Sequence, residues 1–237
     1  MGKRLKDLLY VFEKEGVRYV HWKSNLNIDK ALNYDDDFDI LVLQEDRGKV
    51  LKILNEFSFL RGLSKKDKWQ NEIFHYFGID LTEQKMIHFH LHFLLEIGHD
   101  YDKRCNLPVV ENYLHNRQNY KHTYLPEFEN EYILLVIRIF LKYDFKSFYL
   151  KLPHAQLRTL LNYNKGVVKG GAYREFIDLK DKIDRNRLDT ILASNFNFIE
   201  KDFFNRMEQV IEKNNSLFNY FGIARKLNKK LMKFNNH

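Results

Sequence analysis

The chain has a single cysteine, Cys105, in 237 residues. That count excludes an internal disulfide framework and a cysteine-built zinc cluster, and it suits a reducing compartment. Long apolar runs are also missing. The most apolar stretch, "YILLVIRIFLKY", is too short to span a bilayer and carries Arg138 inside it. The opening "MGKRLKDLLYVFEKEG" has leucines at helical spacing and charges where a signal peptide needs an apolar run and a small-residue cleavage site. The expectation is a cytoplasmic protein with no transmembrane segment. No Gly-rich phosphate loop is present: "NKGVVKGG" lacks both the spacing and the terminal Lys-Ser/Thr pair. No serine sits in a G-x-S-x-G elbow and Cys105 has no histidine in a nucleophile context, which disfavours acyl transfer.

What is present is a core-forming composition. Hydrophobic residues make up 44% and aromatics 15%, far from a disordered chain and enough for one large domain or two small ones. The formal charge of +7 would ordinarily suggest nucleic acid. Lysine, asparagine, phenylalanine and tyrosine are all abundant, as in proteins from AT-rich genomes, so the charge by itself carries little weight.

Periodicity divides the chain. Leu5, Leu8, Leu9 and Phe12 make one apolar face and Gly16 follows as a stop, which predicts a helix over 3–15. "VRYVHWK" reads as a strand, "NLNIDKALN" as a short helix or turn, and 38–43 as a buried strand; a helix follows over 45–57. "EIFHYFGIDL" and "MIHFHLHFLL", separated by the polar "TEQK", predict a hairpin. From "NLPVVENYLHNRQNY" onward the segments read as long and helical. The expected organisation is α+β, with a mixed N-terminal domain at 1–98 and an all-helical domain at 99–237.

The chemistry gathers around two stretches, "HWKSN" at 21–25 and "DDDFDILV" at 35–42. Strand alternation puts Asp37 and Asp39 on one face, with Phe38, Ile40 and Val42 on the other. Two such carboxylates can hold Mg²⁺ through oxygen ligands, which suits phosphoryl or nucleotidyl transfer. An acidic turn before a strand, without chemistry, is the bland alternative. His88, His90 and His92 alternate with Phe89, Leu91 and Phe93, so the three histidines also share a face. Three uses stay open for that face: a transition-metal site, a polar sheet face without chemistry, or a role beside the carboxylates.

Together these residues resemble the nucleotidyltransferase superfamily, with its DNA polymerase beta-like fold, whose core carries a strand, a small pair, a spacer and a hydrophobic-flanked D-x-D. Lys23-Ser24 occupies the small-pair position and "DFDILV" the metal-binding strand. A bacterial branch of the superfamily, in which "LKG" or "WKSN" precedes "DlDlLV" and a later strand reads like "velHw", is closer still. The likeness covers roughly residues 17 to 96. It implies an α/β-type nucleotidyltransferase core with a mixed sheet, in which Asp37 and Asp39 bind Mg²⁺ and Lys23 and Ser24 contact the phosphates of an NTP. Two positions depart from the pattern. Lys23 stands where glycine is usual, and His90 stands where the third carboxylate belongs, as a general base or weak third ligand. Asp80 is a reserve carboxylate.

The implied reaction moves a nucleoside monophosphate from an NTP onto a small, sugar-like acceptor and releases pyrophosphate. Two alternatives stand beside it: a catalytically degenerate nucleotide- or partner-binding protein of the same fold, and a transferase acting on tRNA or another RNA. On the apolar helix around residue 135, Glu131, Arg138 and Lys142 fall on one stripe, either holding triphosphate or simply solvated. The basic helix "ARKLNKKLMKF" near the C-terminus either touches RNA or an acidic membrane surface, or docks by Ala224, Leu227, Leu231 and Met232.

Overall fold

A computed structural model describes residues 1–63, 73–99, 102–142, 168, 170–213 and 217–235. The chain forms two compact units, residues 1–95 with 107–127, and residues 96–106 with 128–237.

The first unit begins with α1 (Lys3–Lys14), whose Leu5, Leu8, Leu9 and Phe12 are buried. The helix ends where Gly16 takes φ +66, a left-handed conformation that costs glycine nothing. β1 (Tyr19–His21), a short turn and α2 (Ile28–Leu32) lead to β2 (Phe38–Val42), and α3 (Arg47–Glu56) follows. Then come β3 (Leu60–Gly62), β4 (Ile73–Asp80) and β5 (Lys85–His92). These strands form one mixed sheet in the order β1-β2-β5-β4-β3. Only the β2–β5 pair is parallel; β1–β2, β4–β5 and β3–β4 are antiparallel.

Alternation gives the sheet two unlike faces. Phe38, Ile40, Val42, Phe74, Tyr76, Ile87, Phe89 and Leu91 point to one side, where they join the α1 face and Val50, Ile53 and Leu54 of α3 in a continuous core. Each fully buried Leu or Phe there contributes about 1.5–3 kcal/mol. The opposite side carries the histidines and aspartates.

Residues 99–127, expected to open an all-helical half, instead hold strands. β6 (Leu95–His99) pairs with β7 (Asp102–Leu107), α4 (Val110–His115) follows, and β8 (Gln118–Tyr120) pairs with β9 (Thr123–Leu125). β8 and β9 are three-residue strands, too short for a period-2 pattern to register. β9 belongs to the first unit, where Tyr124 meets Tyr19 edge-on at 5.6 Å.

The second unit is the helical region, built on α5 (Phe128–Lys142). Residues 132–137 of α5 are all buried, as the all-round apolar pattern requires. Around α5 stand α6 (Gly171–Lys180), α7 (Arg185–Asn195), α8 (Lys201–Lys213) and α9 (Leu217–Asn235). Tyr132 stacks on Phe176 at 5.4 Å and Phe140 on Tyr220 at 4.8 Å. Asp184 caps α7, accepting from the backbone N–H of Asn186 at 2.8 Å and Arg187 at 3.2 Å. The basic helix α9 docks by Ala224, Leu227 and Leu231, whereas Met232 is exposed. No helix among the described residues is long and apolar enough to cross a membrane.

Candidate functional site

The four carboxylates of the acidic run have separate destinations. Asp35 pairs with Lys85 at 2.7 Å, and Asp36 accepts the backbone N–H of Asp37 at 2.9 Å. Asp37 and Asp39 turn onto the polar face of the sheet. The parallel register sets Asp39 opposite His90 and Phe38 opposite Phe89, so His88, His90 and His92 come up on the same face as the two aspartates. Antiparallel pairing then sets His75 of β4 opposite His90, and Phe77 opposite His88. The chain leaves β1 beside this group, with the Trp22 N–H bonded to the Asp39 carbonyl at 3.1 Å.

One ion pair and several imidazole–carboxylate contacts crowd this face. Lys23 Nζ lies 2.7 Å from Asp39 Oδ1, and the same oxygen faces His90 Nδ1 at 3.0 Å and His92 Nε2 at 3.6 Å. His88 Nδ1 lies 2.6 Å from Asp37 Oδ1, and His90 Nε2 lies 3.5 Å from Asp37 Oδ2. Burial alone would raise the Asp39 carboxyl, but the hydrogen bond from His90, the nearby His92 imidazole and the charge of Lys23 hold it well below the usual carboxylate range. The His88 imidazole is pushed down by burial and by neighbouring His90, against the pull of Asp37.

Ser24 adopts φ +60, ψ +33, left-handed and exposed at the tip of the turn after Lys23. Side chains rarely take that conformation, and it occurs at the position where the resemblance expects a small pair. Next to it, Asn25 Oδ1 accepts from Nδ1 of His21, which lies on the core face of the sheet.

Of the residues singled out from sequence, Lys23, Asp37, Asp39 and His90 come together here, with Ser24 at the adjoining turn. Asp80 does not belong. Its place in β4 is on the core face, where it accepts from the Arg4 N–H at 3.1 Å, the Tyr34 hydroxyl at 2.9 Å, and the N–H groups of Thr82 and Glu83 at 3.0 and 3.2 Å. Those bonds close the hairpin and tie α1 to it. Arg138 is half-buried in the second unit and Glu131 is buried there, so Glu131 is not on a solvated stripe. The Lys142 side chain lies outside the described residues.

His88 and the buried His92 join Asp37, Asp39 and His90 on the same face, as their alternation predicts, whereas His75 is a participant that the sequence pattern did not single out. His75 sits at an alternating position in "EIFHYFGID", but which residues it faces depends on the hairpin register. His75 Nδ1 is 3.2 Å from His88 Nε2, and the Phe77 ring stacks on His88 at 4.3 Å. Comparison of the chain with protein families, curated proteins and solved structures returns no match.

Proposed function

We propose that this face is the catalytic site of an Mg²⁺-dependent nucleotidyltransferase, moving a nucleoside monophosphate from an NTP onto a small, sugar-like acceptor. One observation carries the reading. The parallel β2–β5 register brings Asp39, with Asp37 just before the start of its strand, and His90 together on one face, beside the turn at which Ser24 is left-handed. Two carboxylates on one strand face, with an imidazole on the neighbouring strand, support a reading of metal-assisted phosphoryl transfer.

The residues fit a divalent cation on one condition. Lys23 neutralises Asp39 at 2.7 Å, and a cation held by Asp39 would have to take the place of that ammonium. The Lys23 ammonium would then turn to the phosphates, with the exposed Ser24 hydroxyl beside it. Asp37 and Asp39 would hold Mg²⁺, which would supply charge neutralisation for the phosphates and alignment of attacking and leaving oxygens. His90 takes the proton. Its Nδ1–H is committed to Asp39, which leaves Nε2 to accept from an acceptor hydroxyl. The acceptor oxygen then bonds to the α-phosphorus, the bond to the β-phosphate breaks, and pyrophosphate leaves.

The test is calorimetric titration of each of the four NTPs with and without Mg²⁺, repeated on Asp37→Asn. Magnesium-dependent binding that disappears in the variant supports the site, and silence from all four nucleotides overturns it. A second reading, a binding relic of the same fold, is favoured by His90 standing in the third carboxylate's position. It predicts magnesium-dependent nucleotide binding without pyrophosphate release for any acceptor offered.

A further inference from the structure

The imidazoles form a group of their own on this face. One nitrogen from each of His75, His88 and His90 lies within 4.8 Å of the others. Their hydrogen bonds decide which nitrogens carry protons. An ionised carboxylate only accepts, so the contacts of His88 Nδ1 to Asp37 and His90 Nδ1 to Asp39 require N–H at both Nδ1 positions. The lone pairs of both rings are thereby placed on Nε2. His88 Nε2 points at His75 Nδ1 across 3.2 Å.

We infer that His75, His88 and His90 bind one zinc-class transition-metal ion, with Asp37 and Asp39 as the carboxylates that orient two of its three ligands. The distances agree with this. Two imidazole nitrogens each about 2.0–2.1 Å from a tetrahedral zinc ion stand about 3.3–3.4 Å apart, against 3.2 Å between His75 and His88. A metal-bound histidine typically gives its other N–H to a carboxylate, which fixes ring orientation and raises ligand basicity. His88 and His90 already have that arrangement. Imidazole donors select zinc, cobalt or nickel over Mg²⁺, and three ligands with half-buried side chains leave a fourth position to water.

The site does not rest on the transfer reading, because His75 and His88 have no part in it. The two share His90. With an ion on its Nε2 that nitrogen no longer accepts a proton, so loading the imidazoles switches off the base.

The test is Co²⁺ titration of chelator-stripped protein, followed by visible ligand-field absorption, which is intense for a tetrahedral ion. Bands saturating at one equivalent are expected in the wild type and in His122→Ala, an exposed histidine on the β8–β9 turn. His75→Ala should weaken binding by more than about 100-fold, and Asp37→Asn by about 10–100-fold, the usual cost of losing an orienting carboxylate. His75→Gln, which keeps polar bulk on the strand, guards against misfolding and should lose the bands with an unchanged circular-dichroism spectrum. Absent bands in the wild type, or bands that persist in both His75 variants, overturn the inference. Magnesium-nucleotide titration of His75→Gln separates the two readings: cobalt bands in the wild type with no nucleotide binding in either protein would end the transfer reading and leave the metal site standing.

Discussion

Asp39→Asn tests the electrostatics of the site most directly. A catalytic carboxylate crowded by its neighbours should be a stability liability, and its removal would then raise the melting temperature. Here the reverse is expected. Asp39 Oδ1 faces Lys23, His90 and His92, and the carboxylate and ammonium side chains are only 11% and 20% exposed. Removing one partner of a fully buried pair costs about 3–5 kcal/mol. Because a fifth of Lys23 remains in water, about 2–3 kcal/mol is the expected loss for this pair. In a chain of this size that lowers the melting midpoint by about 5–10 °C. Asp37→Asn, at a carboxylate 42% exposed, should cost less than about 1 kcal/mol. The assay is urea unfolding at pH 7 in chelator, with Lys23→Met and the double variant completing a cycle. Coupling should appear as a double-variant loss smaller than the sum of the single losses. An Asp39→Asn protein as stable as the wild type, or more stable, would refute the reasoning.

Other consequences follow from the same contacts. Asp80→Ala strands four donors, two that close the β4–β5 hairpin and two from Arg4 and Tyr34 that tie to it, and should cost about 2–3 kcal/mol in urea unfolding while leaving nucleotide titration unchanged. In the second unit, buried Glu208 accepts from the Tyr132 hydroxyl at 2.5 Å and pairs with Arg185 at 2.8 Å, so Glu208→Ala should cost about 3 kcal/mol, read from the thermal melt. Acid should destabilise the first unit through His21. Burial holds that imidazole below its ordinary value, against the pull of Asn25 and Asp39, so between the folded pKa and the unfolded value near ~6.5 only the unfolded state binds the proton. The contribution is therefore complete above pH ~6.5 and is lost as pH falls, with a slope approaching ~1.4 kcal/mol per pH unit. Urea midpoints from pH 7 to 5 should decline in the wild type and flatten in His21→Gln; a flat wild-type profile would remove His21 from the account. Asp39, whose carboxyl is depressed, has the same sign but in the window below pH ~3.9.

Much of the first unit could be read in advance because its patterns are local. Leu5, Leu8, Leu9 and Phe12 announce α1, Gly16 its end, and the alternation in "MIHFHLHF" a strand with three histidines on one side. The strands at 102–107, 118–120 and 123–125 could not be read this way. They are short or polar, and β8 and β9 owe their place to neighbours such as Tyr19, distant in sequence. Asp80 shows the limit of residue type as a guide. It is the right kind of group near the right strands, but one position of alternation turns it to the core face, where backbone donors occupy it.

The sequence by itself determined which side chains alternate on each strand, and therefore that Asp37 and Asp39 share a face and that His88, His90 and His92 share another. Tertiary structure decided that these are one face. Strand order and register depend on contacts some fifty residues apart, which no local periodicity encodes. The parallel β2–β5 pairing sets Asp39 against His90, and the hairpin register sets His75 against His90. A slip of one residue in either pairing would turn a whole row of side chains to the other side of the sheet and disperse the site.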